Sequence, residues 1–108
     1  MNIENFFDLA PLLSRRSAVG KRYLEFLRVS SMSAGVYVLP VGGTDPQRPH
    51  TEDEMYYVVR GRARMTVRDQ QQYIQEGSVI YVEAKAQHRF HDIEEELVVL
   101  VFFAPAES

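Results

Sequence analysis

Two histidines and one glutamate are the residues of this chain whose types and spacing could support chemistry. His50 and Glu54 lie four residues apart in "HTEDEMYYVVRG", directly before a run of aromatic and β-branched residues. His88 follows a second apolar segment, in "GSVIYVEAKAQHRFHD". Imidazole nitrogens and carboxylate oxygens bind divalent transition metals. The first stretch therefore has two interpretations, either a helix start with a chance histidine or half of a metal site at the mouth of a β-structure.

The residues after His50 favour the β interpretation. Residues 51–54 match a helix capping box, and on a helix His50 and Glu54 would share one face. However, "MYYVVRG" is rich in β-favouring residues, and "ARMTVR" alternates apolar and polar residues. Because four residues of straight strand span about 13 Å, a shared metal requires a tight turn at "TED", with His50 ending one strand and Glu54 beginning the next. Glu54, Tyr56 and Val58 would then face one side.

The rest of the chain predicts an all-β domain behind a short helix. Helical spacing of apolar residues near the N-terminus predicts a helix that Asn2 could cap and Pro11 limits, followed by a polar connector, "SRRSAVGKR", within residues 1–22. Residues 23–108 contain short β-favouring segments separated by turn residues, which indicates a barrel or sandwich. Gly61 and residues 69–70 are predicted to be hairpin turns, and residues 42–43 a loop. The predicted strands are 23–29, 34–40, 54–60, 62–68, 72–75, 79–82, 87–91 and 97–103.

Composition and charge limit the possible classes of function. The 108 residues include no cysteine, so a disulfide framework or a thiol nucleophile is excluded. A net charge of −3 argues against a nucleic-acid partner. The start has no signal-peptide pattern, and the apolar run "LVVLVFFAP" is far shorter than the roughly 20 residues of a membrane span. We therefore expect a cytoplasmic protein. Because "LVVLVFF" is apolar on both faces, we also expect its outer face to pack on the N-terminal helix or on a second subunit.

The spacing of these residues resembles the two sequence motifs of the cupin superfamily, in its small single-domain form. In the first motif, His50 matches the second histidine, Glu54 the glutamate and Gly61 the closing glycine. In the second motif, Gly77 and His88 match the glycine and the histidine. The resemblance covers residues 34–105 and implies a double-stranded β-helix, the jelly-roll barrel of the cupins. It also implies that His50, Glu54 and His88 hold a divalent metal inside the barrel.

One departure from the motif bears on this expected site. Arg48 stands where the family has its first histidine, and arginine does not ligate metals. Gln47 could supply a fourth ligand through its amide oxygen. Without a fourth ligand, two histidines and one carboxylate resemble the facial arrangement of non-haem iron sites. The resemblance is compatible with iron, manganese, nickel or zinc.

The resemblance leaves three hypotheses for the function. The first is a metal-dependent enzyme, of dioxygenase or isomerase type, acting on a small molecule beside Arg48, Tyr56 and Phe90, although the last two could equally be core packing. The second is a metal-free binding or sensor barrel in which Arg48 pairs with Glu54 in place of the ion. The third is a structural dimerisation domain whose interior is filled by side chains. Since cupins are commonly dimers, a homodimer is expected.

Overall fold

The computed structural model describes residues 4–108. Within these residues the chain forms one helix and six strands, and every strand pairing is antiparallel. The strands form a jelly-roll β-barrel, which confirms the predicted all-β fold with its short N-terminal helix. The elements are α1 (Leu9–Val19), β1 (Tyr23–Val29), β2 (Met32–Leu39), β3 (Asp53–Val67), β4 (Gln70–Gln75), β5 (Val79–Val82) and β6 (His88–Ala104).

The long strands β3 and β6 organise the barrel. The sheet has the order β1-β2-β6-β3-β4, and β5 also pairs with β3. β3 pairs with β6 along its length, with β5 over residues 54–57 and with β4 over residues 62–67. The first residues of β3 therefore lie between β5 and the last residues of β6, and Glu54 is among them.

The hairpin turn predicted at Gly61 is wrong, because β3 continues through this residue. Gly61 has φ +104, and a Cβ atom there would lie 2.3 Å from the carbonyl oxygen of Glu96. The register against β6 shifts on both sides of Gly61, which marks a β-bulge. Buried positions change from even numbers, ending at Val58, to odd numbers, beginning at Gly61 itself. The glycine thus allows both halves of one strand to face the interior.

Two further boundaries differ from the predictions. The predicted strands 87–91 and 97–103 are parts of the single strand β6, which remains paired with β3 between them. The turn predicted at residues 69–70 lies one residue earlier, because Gln70 already begins β4 and Arg68 has φ 56. The loop predicted at residues 42–43 is confirmed.

The helix begins later than predicted, and the segment taken as a polar connector is mostly helical. α1 runs from Leu9 to Val19, with Pro11 in its first turn, where a missing N–H breaks no hydrogen bond within the helix. Gly20 ends it with φ 72 and donates its N–H to the carbonyls of Arg16 and Ser17. The predicted cap, Asn2, lies outside the described residues.

The helix covers the outer face of the sheet. Leu12 of α1 packs in one buried cluster with Val36 of β2 and Val98 of β6. This confirms the expectation that the helix covers the outer side of "LVVLVFF". Among residues 4–108, no helix is both long and apolar enough to cross a membrane.

Of the three buried acidic and histidine residues that the structure describes, two lie on β3 and β6, beside the apolar interior. The opposite side of β6 and the inner face of β3 form the main core, in which Tyr56, Phe90 and Leu97 are fully buried. Glu54 and His88 are buried next to this core, with 2% and 7% of their surface exposed. Burying a charge is costly unless it is paired or binds an ion, so these residues require an explanation.

Candidate metal centre

The structure brings the three predicted residues together at one point. His50, Glu54 and His88 each offer a ligand atom, and these atoms lie within 4.8 Å of one another. Oε1 of Glu54 is 3.2 Å from Nδ1 of His50 and 2.7 Å from Nε2 of His88. Residues separated by 38 positions along the chain therefore form one cluster, to which we refer as the His–Glu–His cluster.

Different elements supply the three side chains. Glu54 is the second residue of β3 and points inward, and His88 is the first residue of β6, with its side chain fully buried. The prediction that His50 ends a strand is wrong, since residues 40–52 form an irregular segment after β2. Three prolines interrupt that segment and supply no N–H groups for strand pairing. The backbone N–H of Lys85 instead binds the carbonyl of His50 at 2.6 Å and holds it beside the turn that precedes His88.

The electrostatics of the cluster centre on an ionised carboxylate. Burial acts to raise the pKa of Glu54, but the hydrogen bond from His50 and the close contact with the His88 ring outweigh it and lower the pKa to about 2. The hydrogen bond to Glu54 raises the pKa of His50. Burial acts to lower the pKa of His88, yet the adjacent carboxylate of Glu54 outweighs it, and the net shift is upward. The cluster therefore favours positive charge around one buried anion.

The hydrogen-bonding pattern of the cluster fits a bound cation. Nδ1 of His88 lies 2.9 Å from the carbonyl oxygen of Ala86, so this nitrogen carries the proton in the neutral ring and Nε2 has the lone pair. Among the described residues, His88 Nε2 and Glu54 Oε2 are buried without a hydrogen-bond partner. His88 Nε2 does lie close to Glu54 Oε1, but the two groups are not aligned for a hydrogen bond. A metal ion between imidazole and carboxylate would satisfy these atoms, so the residues fit a divalent metal.

Gln47 is held beside the cluster by hydrogen bonds at both ends of its amide. Its Oε1 accepts from the hydroxyl of Tyr56 at 3.1 Å, and its Nε2 donates to Asp45 at 2.9 Å. The oxygen predicted as a possible fourth ligand therefore already accepts one hydrogen bond, from Tyr56. Tyr56 and Phe90 are fully buried and pack edge to face, with ring centroids 4.9 Å apart.

Arg48 does not pair with Glu54. Among residues 4–108, the ion pairs of Glu54 are with His50 and His88, so the salt bridge between Arg48 and Glu54 expected by the metal-free hypothesis is absent. Arg48 is exposed and lines an open cavity of about 270 Å³ together with Gln47 and His88. The third histidine, His91, hydrogen-bonds Thr66 at 2.7 Å and lies outside the cluster.

A second cavity adjoins His50. Its volume is about 170 Å³. Its walls combine aromatic, apolar and polar side chains, namely Tyr23, Tyr37, Gln47, His50, Val101, Phe103 and Glu107. The hydroxyl of Tyr23 is buried, and no partner for it exists in the described part of the chain. We call this space the His50 cavity.

Sequence reasoning missed two acidic residues that organise the site. The carboxylate of Asp45 accepts hydrogen bonds from the Tyr37 hydroxyl, the Gln47 side chain and the backbone N–H of Phe90. The Asp-Pro pair in "TDPQ" is a turn signal that could have drawn attention to Asp45. Glu107 lies 3.2 Å from His50 Nε2. No local pattern near the C-terminus marks Glu107, because its contacts are distant in sequence.

Comparison with known proteins agrees with the fold. Residues 35–103 match the Cupin domain family. This match covers more than half of the chain, so the protein belongs to the cupin domain family. An uncharacterized protein of Streptomyces coelicolor is 49% identical over 102 residues, which span 94% of this chain and 97% of that protein.

Solved structures with the same fold are more distant in sequence. KdgF from Halomonas sp. has a TM-score of 0.70 and 17% identity, covering 77% of this chain and 76% of its own. The DMSP lyase DddQ from Ruegeria pomeroyi has a TM-score of 0.69 and 17% identity, and the match covers 78% of this chain and 47% of DddQ. A putative mannose-6-phosphate isomerase from Ralstonia eutropha has a TM-score of 0.67 and 20% identity, and the match covers 78% of this chain and 83% of that protein. This chain spans about half the length of DddQ, and at these identities the likeness establishes the fold alone.

Proposed function

We propose that this cupin binds one divalent metal ion through His50, Glu54 and His88 and acts on a small molecule next to it. The observation that carries the proposal is a pair of buried atoms without hydrogen-bond partners, His88 Nε2 and Glu54 Oε2, on residues whose ligand atoms lie within 4.8 Å of one another and of His50. Two imidazoles and one carboxylate suit iron, manganese, nickel or zinc. A bound metal would supply Lewis-acid polarisation or an oxygen-binding position, since three protein ligands leave coordination positions open.

The His50 cavity is the proposed substrate site. Its volume of about 170 Å³ is close to that of a cavity able to hold benzene, about 150 Å³, so the substrate is small. Val101 and Phe103 offer apolar contact, while Gln47 and the Tyr23 hydroxyl offer hydrogen bonds. Open space beside the cluster favours a binding function over an interior filled by side chains. Oxygenation and isomerisation both remain within the proposal, because one fold hosts many chemistries.

We also propose that the protein is a homodimer. Exposed apolar side chains form a contiguous patch on the outer face of β3 and β5, where Met55 pairs with Tyr81 and Tyr57 pairs with Val79. These four side chains are between 41% and 60% exposed. A contiguous apolar patch of this kind is typical of a protein–protein interface.

Metal analysis of purified protein tests the proposed function. Protein prepared without chelator is incubated with each candidate ion, desalted and analysed by mass spectrometry for metal content. We expect about one ion per chain in the wild type, almost none in His50→Ala or His88→Ala, and wild-type content in His91→Ala, because His91 lies outside the cluster. Equal metal content in the wild type and all three variants would contradict the proposal.

A further inference from the structure

Each imidazole of the His–Glu–His cluster has an oxygen atom close to the nitrogen that faces away from Glu54. In His88 that nitrogen is Nδ1, 2.9 Å from the carbonyl oxygen of Ala86. In His50 it is Nε2, 3.2 Å from Oε2 of Glu107, while Nδ1 faces Glu54 at 3.2 Å. Both rings therefore turn one nitrogen toward Glu54 and the other toward a fixed acceptor.

The C-terminal tail that carries Glu107 is fixed to the barrel through its backbone. The N–H of Glu107 donates to the hydroxyl of Ser33 at 2.9 Å, and its carbonyl accepts from the guanidinium of Arg28 at 2.6 Å. The next residue, Ser108, donates its N–H to the carboxylate of Glu52 at 3.2 Å. These bonds leave the Glu107 side chain free to face His50, with 27% of its surface exposed.

The position of Glu107 separates it from the cluster itself. Its carboxylate is not part of the group of donor atoms that lie within 4.8 Å of one another. It contacts His50 on the side of the ring opposite to Glu54 and lines the His50 cavity. Its geometry is therefore that of an outer partner of a ligand and not of a fourth ligand.

We propose that Glu107 is a positioning residue for His50, and this inference rests on the proposed metal site. With its carboxylate 3.2 Å from Nε2, Glu107 electrostatically favours a proton on that nitrogen, and in the metal-bound protein this leaves the Nδ1 lone pair facing the ion beside Glu54. A carboxylate behind a ligating histidine raises the basicity of the ring, and loss of such a partner lowers metal affinity about tenfold to a hundredfold. Glu107 thus acts on His50 through its charge, whereas the Ala86 carbonyl acts on His88 through a hydrogen bond.

Cobalt(II) titration of the full chain tests this role, with visible absorption as the second readout. Glu107→Gln and Glu107→Ala should each weaken cobalt affinity about tenfold to a hundredfold and alter the cobalt absorption spectrum. Glu107→Asp, which keeps the charge, should restore part of the affinity. The backbone bonds of the tail do not use this side chain, so the melting temperatures of the metal-free variants should stay close to the wild-type value.

The remaining outcomes separate this inference from the proposed function. Glu76→Gln removes the same charge from an exposed residue outside the site, and it should bind cobalt like the wild type. Wild-type affinity and spectrum in both Glu107→Gln and Glu107→Ala would overturn the role of Glu107 while leaving the metal site intact. An equal loss in Glu76→Gln would also overturn it, because the effect would then be one of net charge. If the wild type itself binds no cobalt, the proposed function fails.

Discussion

At the scale of single residues, the site is defined by where each polar atom finds its partner. The carbonyl oxygen of Ala86 accepts from Nδ1 of His88, and the carboxylate of Glu107 lies 3.2 Å from Nε2 of His50. The amide oxygen of Gln47 accepts from the hydroxyl of Tyr56. Within the described residues four buried side-chain atoms lack a hydrogen-bond partner, and two of them, His88 Nε2 and Glu54 Oε2, belong to the His–Glu–His cluster. Buried polar atoms without partners are rare in folded proteins, so this small set points to a missing ligand.

The metal affinity of the cluster is expected to fall as the pH is lowered. Glu54 raises the pKa of both His50 and His88 above the usual 6.5, so protons compete with the metal for these rings. Binding releases those protons, and the apparent affinity should fall by up to about a hundredfold for each pH unit once both rings are protonated. Competition titrations with a chromophoric zinc chelator between about pH 6 and pH 8 measure this slope. An affinity independent of pH would contradict it.

The folding stability of the metal-free protein should depend on pH in the opposite direction to its metal affinity, and rise as the pH falls toward the mildly acidic range. The raised pKa values of His50 and His88 stabilise the fold below about pH 6.5, and this contribution is lost as the pH rises through the folded-state values. The pKa of Glu54 is lowered from 4.5 to about 2, so its contribution is present above 4.5 and lost as the pH falls toward 2. Chelator-treated protein should therefore be most stable to denaturant in the mildly acidic range, and a maximum above neutral pH would count against this account.

The residues at the site were predicted from sequence only where the signal was local. Spacing within each motif identified His50, Glu54 and His88, and strand alternation placed Glu54 and Tyr56 on one inner face. Glu107 was missed because it meets His50 across 57 positions of the chain. Side-chain partners brought together by the fold leave no trace in local spacing.

At the scale of elements, the β-bulge at Gly61 shifts the alternation of β3. Even-numbered side chains point inward before the bulge, and odd-numbered side chains point inward after it. A glycine between two β-favouring segments is compatible with a hairpin turn or a bulge, since both tolerate positive φ. The sequence could not distinguish them, because the deciding contact is with the carbonyl of Glu96 on β6. The same limit explains why β6 was divided into two strands, although its hydrogen bonds to β3 continue.

Substitution of Gly61 by alanine should destabilise the fold strongly. The alanine would have to adopt φ +104, and its Cβ would lie 2.3 Å from the carbonyl oxygen of Glu96. Because this distance is too short, β3 and β6 must separate. Gly77→Ala is the matched control, because Gly77 has φ 91 with open space around it. Positive φ alone costs about 1–3 kcal/mol, and Gly61→Ala should exceed Gly77→Ala by a further 2 kcal/mol or so in chemical denaturation. Equal losses in the two variants would show that β6 does not constrain Gly61.

At the scale of the whole molecule, the barrel has one covered outer face and one exposed one. Helix α1 covers the outer side of β2 and β6 through Leu12. The outer side of β3 and β5 has no such cover within the described residues, and Tyr81 there is 58% exposed. On β3 the patch residues Met55 and Tyr57 point outward and Glu54 points inward, so assembly and metal binding can be tested with separate substitutions.

Tyr81→Lys should convert the proposed dimer into a monomer. A buried lysine at the centre of an apolar interface loses its hydration without gaining a partner. Light scattering coupled to size exclusion should give twice the chain mass for the wild type and the chain mass for Tyr81→Lys. Tyr73→Lys, at another exposed tyrosine outside the patch, should remain a dimer. A monomeric wild type would contradict the proposed dimer. A dimeric Tyr81→Lys would show that the interface does not include the patch around Tyr81.

The most direct test of the metal site is an anomalous scattering experiment on crystals soaked in cobalt(II). Diffraction above and below the cobalt absorption edge locates the ion without reference to any assumed geometry. We expect one strong peak about 2.0–2.2 Å from a ring nitrogen of His50, a carboxylate oxygen of Glu54 and Nε2 of His88. A map without density at that point, or with the ion bound only elsewhere on the molecule, would contradict the account.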